Sequence, residues 1–274
     1  MATIAGRFSG YERRPDLLSG TPRAHAVDRW IYVFMAALFI VVVLTGFIPD
    51  SLEKIAAVKA GERPPLPLVM HVHAVLMGSF LLLLLAQTML VATGRGYIHR
   101  QLGLLAMVLA PALIIAGLIL ATTNYHATWH AAQSGAPALR AAMAARLPRL
   151  DNILLLQIRI GLLFSLFLAI GLRARGRDAG FHKRMMILAT AMPLPAAIDR
   201  MAWLPTTLPG SAVATDLYVV LAVAPMIVWD VFRNRAVHRA YWVWAPLYLA
   251  ASLVVNMLWD KPGWHATAHR IMGV

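Results

Sequence analysis

The chain has 274 residues, of which 60% are hydrophobic and 14% charged, and its formal net charge at pH 7 is +13. Soluble proteins carry about 25% charged residues, so this composition and a mean hydropathy of +0.67 exclude an ordinary soluble protein and predict a multi-pass membrane protein. The chain has no cysteine, which excludes iron–sulfur clusters and covalently attached c-type haem.

Seven apolar stretches are long enough to cross a bilayer as helices, which takes about 17–25 residues. We predict spans at 30–48, 68–92, 102–122, 152–172, 183–204, 215–232 and 241–258. The predicted fold is therefore all-α, with an N-terminal segment over 1–29, a seven-helix transmembrane domain over 30–258 and a tail over 259–274. No convincing cleavage site follows the first span, so we interpret it as a retained signal-anchor.

Lys and Arg are distributed unequally between the two sides of the predicted bundle. The N-terminal segment and the loops on its side hold 15, the other side holds 8, and Arg159 and Arg200 lie within spans. The positive-inside rule then places the N-terminus in the cytoplasm and the C-terminus outside the bacterial inner membrane. These basic stretches are short, so lipids are the predicted partners and nucleic acid is not.

Three spans follow a short basic loop and open with a histidine beside Arg or Lys. The pattern suggests one leading helix plus three helical hairpins, although similar loops also arise without duplication. Helix starts favour anions, so we predict that these residues contact anionic lipid headgroups; plain positive-inside anchoring is the alternative. The residues are His99, Arg100, His182, Arg184, His238 and Arg239.

A short phrase, His-Ala-Thr-any-His beside a tryptophan, occurs at 125–130 and again at 264–269. Histidines four apart share one helix face, and imidazoles bind transition metals such as Zn, Cu or Fe. Both copies fall on the predicted outer side, so a shared metal site is one hypothesis and membrane-surface histidines are the other. The candidate metal ligands are His73, His126, His130, His265 and His269.

Ionisable residues inside predicted spans are candidates for function by default. At 100° per residue, His73 begins a stripe that continues through Met77, Phe80, Leu84 and Gln87, whereas His71 points nearly opposite.

Arg159 lies near the middle of its span, where an unpaired charge costs about 2.5–3.5 kcal/mol. We predict that it pairs with Asp199, either as a packing ion pair or as part of a site. Pro193 and Pro195 break the backbone of the span that carries Asp199, and such breaks line cavities. The polar residues expected around an outward-opening pocket are His71, His73, Gln157, Arg159, Asp199, Arg200 and Asn256.

A longer pattern has two parts. The first consists of His73, Gln87 and the run His99-Arg100-Gln101-Leu102-Gly103. The second consists of the stretch FHKRMMILAT, which starts at Phe181, followed by Arg200. The pattern resembles a widespread family of uncharacterised bacterial multi-span membrane proteins. The resemblance covers about residues 68–240 and implies membership without an assigned chemistry.

The histidines at span ends are also distantly similar to those of cytochrome b561-type membrane haem proteins, which hold two b haems between paired histidines. That similarity implies a b-type haem with His73 and His71 as ligands and with a partner from His126 or from the C-terminal histidines. Arg159 and Arg200 would then neutralise propionates.

Three functions remain open on the sequence. The first is a membrane redox protein that binds a b-type haem or a transition metal in electron transfer. The second is a non-enzymatic accessory subunit of a larger membrane complex or a homo-oligomer, which the short loops favour. The third is a transporter of a small molecule or lipid, which the proline-broken spans favour.

Overall fold

The computed structural model describes residues 16–19 and 25–274 of the chain. Residues 1–15 and 20–24, most of the predicted N-terminal segment, lie outside the described residues. Within the described ranges the chain forms helices and no strand, which confirms the all-α prediction. After a 3-10 turn at Leu17–Ser19, the helices there are α1 (Ala26–Lys59), α2 (Leu68–Ala92), α3 (Gly96–Leu102), α4 (Ala106–Ser134), α5 (Pro137–Ala174), α6 (Ala179–Ala191), α7 (Pro195–Ile198), α8 (Val213–Asn234), α9 (Arg239–Leu258) and α10 (Pro262–Met272).

Six helical segments in the described ranges are long and apolar enough to cross a membrane: α1, α2, α3 joined to α4, α5, α8 and α9. Helix α2 has the predicted bounds, whereas α1 and α5 continue well beyond theirs. The extra turns of α1 and α5 include residues assigned to loops in the sequence analysis. Helix α10 lies in the stretch predicted as a tail.

The fifth predicted span, 183–204, is not one continuous helix. Helix α6 ends at Ala191, a turn follows over 192–194, and α7 adds one further turn. Pro193 has no N–H to donate to the helix. The turn is instead held by hydrogen bonds that span three residues, such as the one from Leu194 N–H to the Ala191 carbonyl oxygen at 3.2 Å. The proline break predicted from the sequence is therefore present, and it reduces the number of continuous long helices from seven to six.

The core lies where α1, α5, α6 and α8 meet. Met35 and Phe39 of α1 pack there with Phe167 of α5, and all three side chains are fully buried. Gly46 of α1 lies against the broken segment, because an added Cβ would approach the carbonyl oxygen of Ala197 to 2.2 Å. Only a glycine permits this close approach of two backbones.

Large apolar side chains cover the outward faces of the long helices. Val41, Leu82, Val108, Leu162 and Val228 are between 58% and 69% exposed. Soluble proteins rarely expose apolar surface on this scale, so these faces are compatible with contact to lipid.

The two ends of the bundle differ in what closes them. Residues 16–19 lie at one end, near the last turn of α8, which we call the N-terminal end. Helix α10 lies at the other end, packed on α4 and α5, which we call the C-terminal end. Helix α9 runs from the first end to the second.

Candidate functional site

Arg159 lies within α5, and only 5% of its surface is exposed. Its Nη1 is 2.6 Å from Oδ1 of Asp216, in the first turn of α8. The predicted pairing of Arg159 with Asp199 is therefore wrong. In the sequence Asp216 appears at the very start of a span, where an acid is normally solvated, but α8 packs this turn against α9.

Helix α9 surrounds the Asp216 carboxylate with donors. The Tyr248 hydroxyl donates to Oδ1 at 3.3 Å, and the Ser252 hydroxyl and the Asn256 amide donate to Oδ2. The same Asn256 amide accepts from the backbone N–H of Ala212 at 3.2 Å. The three donors lie at i, i+4 and i+8, so one face of α9 is built to hold a charge.

Arg159 is satisfied less completely than its partner. Its Cζ lies 5.7 Å from the centre of the Tyr248 ring, a cation–π contact. Its Nη1 contacts Asp216 directly, but its Nη2 donor has no hydrogen-bond partner among the described residues. The guanidinium is therefore held by one carboxylate and one aromatic ring.

Asp199 follows α7 directly and lies close to the Arg159–Asp216 pair, because its Oδ1 accepts the Thr215 hydroxyl at 2.6 Å. Asp199, Thr215 and Tyr218 line a cavity of about 70 Å³ with Met201 and Pro205. The broken segment therefore ends in a carboxylate at a small cavity, next to the turn that carries Asp216.

Arg200 and Gln157 were predicted to line the polar pocket, but neither of them lines this cavity. Arg200 binds Asp50 with 3.1 Å between Nε and Oδ2, and its guanidinium stacks 4.5 Å from the Phe47 ring. Asp50 in turn binds Lys54 at 2.5 Å. Gln157 is exposed on α5.

The two histidines of α2 face different surroundings, as predicted. His71 is exposed, whereas His73 is half-buried and lies against α4, where a Cβ on Gly117 would be 3.5 Å from its Cε1. The His73 Nδ1 is buried without a hydrogen-bond partner in residues 16–19 and 25–274. Farther along the predicted stripe, Phe80 and Leu84 are buried, which confirms that stripe as the inner face of α2.

The two histidine-containing phrases meet in space, around the buried carboxylate of Asp151 in α5. The Tyr125 hydroxyl of the first phrase donates to Oδ1 at 2.5 Å, and His265 Nδ1 of the second lies 2.8 Å from Oδ2. His269 Nε2 is 3.5 Å from the same oxygen, and its ring contacts Trp129 at 4.9 Å between centroids. The contact thus joins aromatic residues of α4 to histidines of α10.

The metal hypothesis does not gain a ligand set from this contact. His126 and His130 pair with each other on α4, with 6.1 Å between ring centroids. In the described part of the chain, no group of three or more His, Cys, Asp or Glu side chains is arranged to hold a metal ion. His265 and His269 instead bind the carboxylate of Asp151, which the sequence analysis did not assign to a site.

Two of the predicted lipid-binding arginines are occupied by carboxylates. Arg184 is fully buried and binds Asp230 through Nε at 2.5 Å and Nη2 at 2.8 Å. It also binds Asp16 through Nη1 at 2.8 Å and Nη2 at 2.9 Å. Arg239 pairs with Asp178. A headgroup contact for Arg184 is therefore wrong, because its donors are committed inside the bundle.

The predicted histidines at this end have individual roles. His238 Nδ1 accepts the backbone N–H of Ala240 at 3.1 Å and so caps α9. Burial, and then the charge of Arg184, lowers the pKa of His238, which suits an acceptor. His99 and His182 lie with 6.4 Å between ring centroids, and His182 Nδ1 is 2.8 Å from the Gly171 carbonyl oxygen.

Asp16 and Asp230 were missed in the sequence analysis. Asp230 lies in the last turns of α8, where a carboxylate opposes the helix dipole and therefore signals a specific cationic partner. Asn234, four residues later, donates to Asp230 at 2.6 Å and accepts the Leu17 N–H at 2.9 Å. The short Asp16–Ser19 stretch is thereby fixed to α6 and α8.

Comparison of the chain with known protein families, with curated proteins and with solved structures gives no match. The resemblance to bacterial multi-span proteins and to b561-type haem proteins therefore stays a prediction.

Proposed function

We propose that the chain is an integral protein of the bacterial inner membrane that carries a small solute across the bilayer together with protons. Its seventh crossing would be the broken segment formed by α6 and α7. The observation that supports this best is the position of Asp199, at the end of the broken segment, on the wall of a cavity and bonded to Thr215 beside Asp216.

Broken helices are characteristic of carriers for a physical reason. Backbone groups that leave a helix inside a bilayer must find partners in the protein or in a polar cavity. Secondary transporters place their binding sites at such breaks, where polar backbone groups and acidic side chains converge. The turn over 192–194 and the exit from α7 have this form, and close contact at Gly46 holds them to α1.

The charged groups beside the cavity are suited to proton coupling. Each ionisable group inside a bilayer costs several kcal/mol, so the buried pair of Arg159 and Asp216 is expensive to keep unless it acts. Asp199 is exposed at the cavity beside this pair. Thr215 and Asp216 are adjacent in α8, so a change at Asp199 would be felt at the Arg159–Asp216 pair. Protonation of either carboxylate would release donors that a solute can use.

The cavity is separated from the N-terminal end by an apolar layer. Between Asp216 and Asp230, α8 presents Val219, Val223 and Met226, all fully buried. Beyond them lies the network around Arg184. Alternating access requires a polar site that is open toward one end and closed toward the other. Here the closure would consist of the apolar layer and the ion pairs beyond it.

Proteoliposomes that contain the pH dye pyranine test this proposal. Amines, carboxylates, sugars and amino acids are added in turn across an imposed proton gradient. We expect one class to move protons at a rate above that of protein-free vesicles, and Asp199→Asn to abolish this flux. Glu53→Gln, which removes an exposed carboxylate of α1, is the matched control and should retain it.

If no class moves protons with the wild-type protein, the carrier proposal is wrong. Equal loss in Asp199→Asn and Glu53→Gln would assign the effect to net charge and not to the cavity. Because the chain has no cysteine, the substitution Ala202→Cys allows a second test. Ala202 lies on the cavity wall, so the new thiol should react with a membrane-impermeant maleimide added to the periplasmic side.

A further inference from the structure

A basic cavity lies on the N-terminal end of the bundle, where α5 leads into α6. It has a volume of about 520 Å³ and is lined by Arg173, Arg175 and Arg177, with Met107 and Leu172. The three arginines occupy alternate positions in the connection, and all are exposed. Three guanidinium groups therefore surround one open space.

Within the described ranges these arginines have no carboxylate partner. Across residues 16–19 and 25–274, none of the three forms an ion pair with a carboxylate, and Arg175 Nη1 contacts only the Met107 sulfur, at 3.6 Å. The next acid along the chain, Asp178, accepts the Phe181 N–H at 2.7 Å and pairs with Arg239. Among the residues that the structure describes, the positive charge of the cavity is therefore not balanced by a bound carboxylate, which favours an anion.

Apolar surface adjoins the arginines on one side. Leu104 and Leu105, in the 3-10 turn before α4, and Met107 and Val108, in its first turn, are between 51% and 69% exposed. Met107 belongs both to this surface and to the cavity wall. A ligand that fits both parts carries an anionic group and a long apolar portion.

We propose that the cavity binds the phosphate headgroup of an anionic phospholipid, with an acyl chain along the first turns of α4. The inference rests on the membrane location proposed above but not on transport. A guanidinium group can donate two parallel hydrogen bonds to two oxygens of one phosphate, and its planar donors suit this geometry better than the ammonium group of lysine does.

Native mass spectrometry of delipidated protein in detergent tests the site. The probes are phosphatidylglycerol, phosphatidylcholine and inorganic phosphate, each titrated separately. We expect phosphatidylglycerol to bind at least tenfold more tightly than phosphatidylcholine, and inorganic phosphate to compete only at far higher concentration. Equal binding of the two lipids would overturn the proposal, and phosphate that binds as tightly as phosphatidylglycerol would identify a soluble anion as the ligand.

The variant that removes the charge is Arg173→Gln/Arg175→Gln/Arg177→Gln. Each arginine near an anionic headgroup contributes about fivefold in affinity, so the triple variant should lose about a hundredfold for phosphatidylglycerol. Its control is Arg140→Gln/Arg146→Gln/Arg270→Gln, which removes the same charge from exposed positions elsewhere. Equal loss in both variants would refute a defined site. Proton flux in the triple variant separates this result from the carrier proposal, because Asp199 is unchanged.

Discussion

The substitution Asp230→Asn tests whether the ion network holds the N-terminal end of the bundle together. The change keeps the shape of the side chain and removes its charge. In the wild type, Asp230 is fully buried and accepts two hydrogen bonds from Arg184, one from Asn234 and one from Tyr241 at 2.6 Å. An amide at this position would present an N–H to at least one of these donors.

The cost follows from the depth of the pair. Removing one partner of a buried ion pair destabilises a protein by about 3–5 kcal/mol, because the other charge stays buried without compensation. Here Arg184 retains Asp16, which binds it through two further hydrogen bonds. We therefore expect Asp230→Asn to lower the free energy of unfolding by about 3 kcal/mol, at the low end of this range.

The measurement is reversible unfolding in mixed micelles with increasing dodecyl sulfate, as part of a double-mutant cycle with Arg184→Gln. A direct pair should give a coupling energy of about 2–3 kcal/mol. Arg239→Gln is the control, since its pair with Asp178 is largely exposed and such pairs contribute about 0–1 kcal/mol. If Asp230→Asn costs no more than Arg239→Gln, the network does not hold this end and the reasoning is refuted.

Three further predictions concern other parts of the molecule. Gly46→Ala should lower the free energy of unfolding by about 1–3 kcal/mol through overpacking, because the added Cβ meets a backbone carbonyl of α7. Gly78→Ala is the control, since its Cβ meets nothing within 4 Å, and it should be neutral or stabilising. Thermal unfolding of the two variants measures the difference. Burial alone would raise the pKa of the Asp16 carboxyl, but the hydrogen bonds and charge of Arg184 outweigh it and hold the pKa well below its usual 3.8. The stability from Asp16 is therefore complete above about pH 5 and is lost as the pH falls toward the folded pKa; acid titration of stability should be flatter in Asp16→Asn. The cofactor hypothesis predicts a Soret band or a stoichiometric metal in purified protein that His73→Ala removes, and colourless, metal-free protein from cells supplied with haem and metals would end that hypothesis.

Hydropathy was sufficient to locate most of the helices. A long apolar run has few alternatives to a helix once water is excluded, and α2 has the bounds predicted from its sequence. The ends of α1 and α5 were underestimated because their extra turns each carry proline and several charged residues, which lower their hydropathy. The break after Ala191 could be predicted since a proline has a fixed local effect.

The partners of buried charges were much harder to predict. The cost of burying Arg159 in a span correctly indicated a buried counter-ion, but two acids were within reach and the sequence favoured the wrong one. Asp216, in the first turn of its helix, did not enter the prediction, although Ser252 and Asn256, four apart on α9, were a usable signal of a buried acceptor. Distance along the chain carries no information on such contacts, since helix rotation decides which side chains meet.

The buried carboxylates at the two ends of the bundle and that of Asp216 each accept several hydrogen bonds, whereas the Arg159 guanidinium has an Nη2 donor without a hydrogen-bond partner in the described ranges. Asp230 accepts from Arg184, Asn234 and Tyr241, and the carboxylate of Asp151 is likewise enclosed at the other end. Such pairs fix which helices are neighbours, a role that full hydrogen bonding suits.

Beside the broken segment the pattern is different. Asp199 accepts a single hydrogen bond, from Thr215, within the described ranges, and Arg159 has an Nη2 donor without a hydrogen-bond partner there. A bundle that needed Arg159 only for packing would satisfy its donors as it satisfies those of Arg184, because an unsatisfied buried donor costs about 1–3 kcal/mol. Asp199, in contrast, is exposed. The exposed Asp199 ends the interrupted segment and accepts from Thr215, the residue before the ion-pair partner of Arg159, and this arrangement suits the proposed site that exchanges partners.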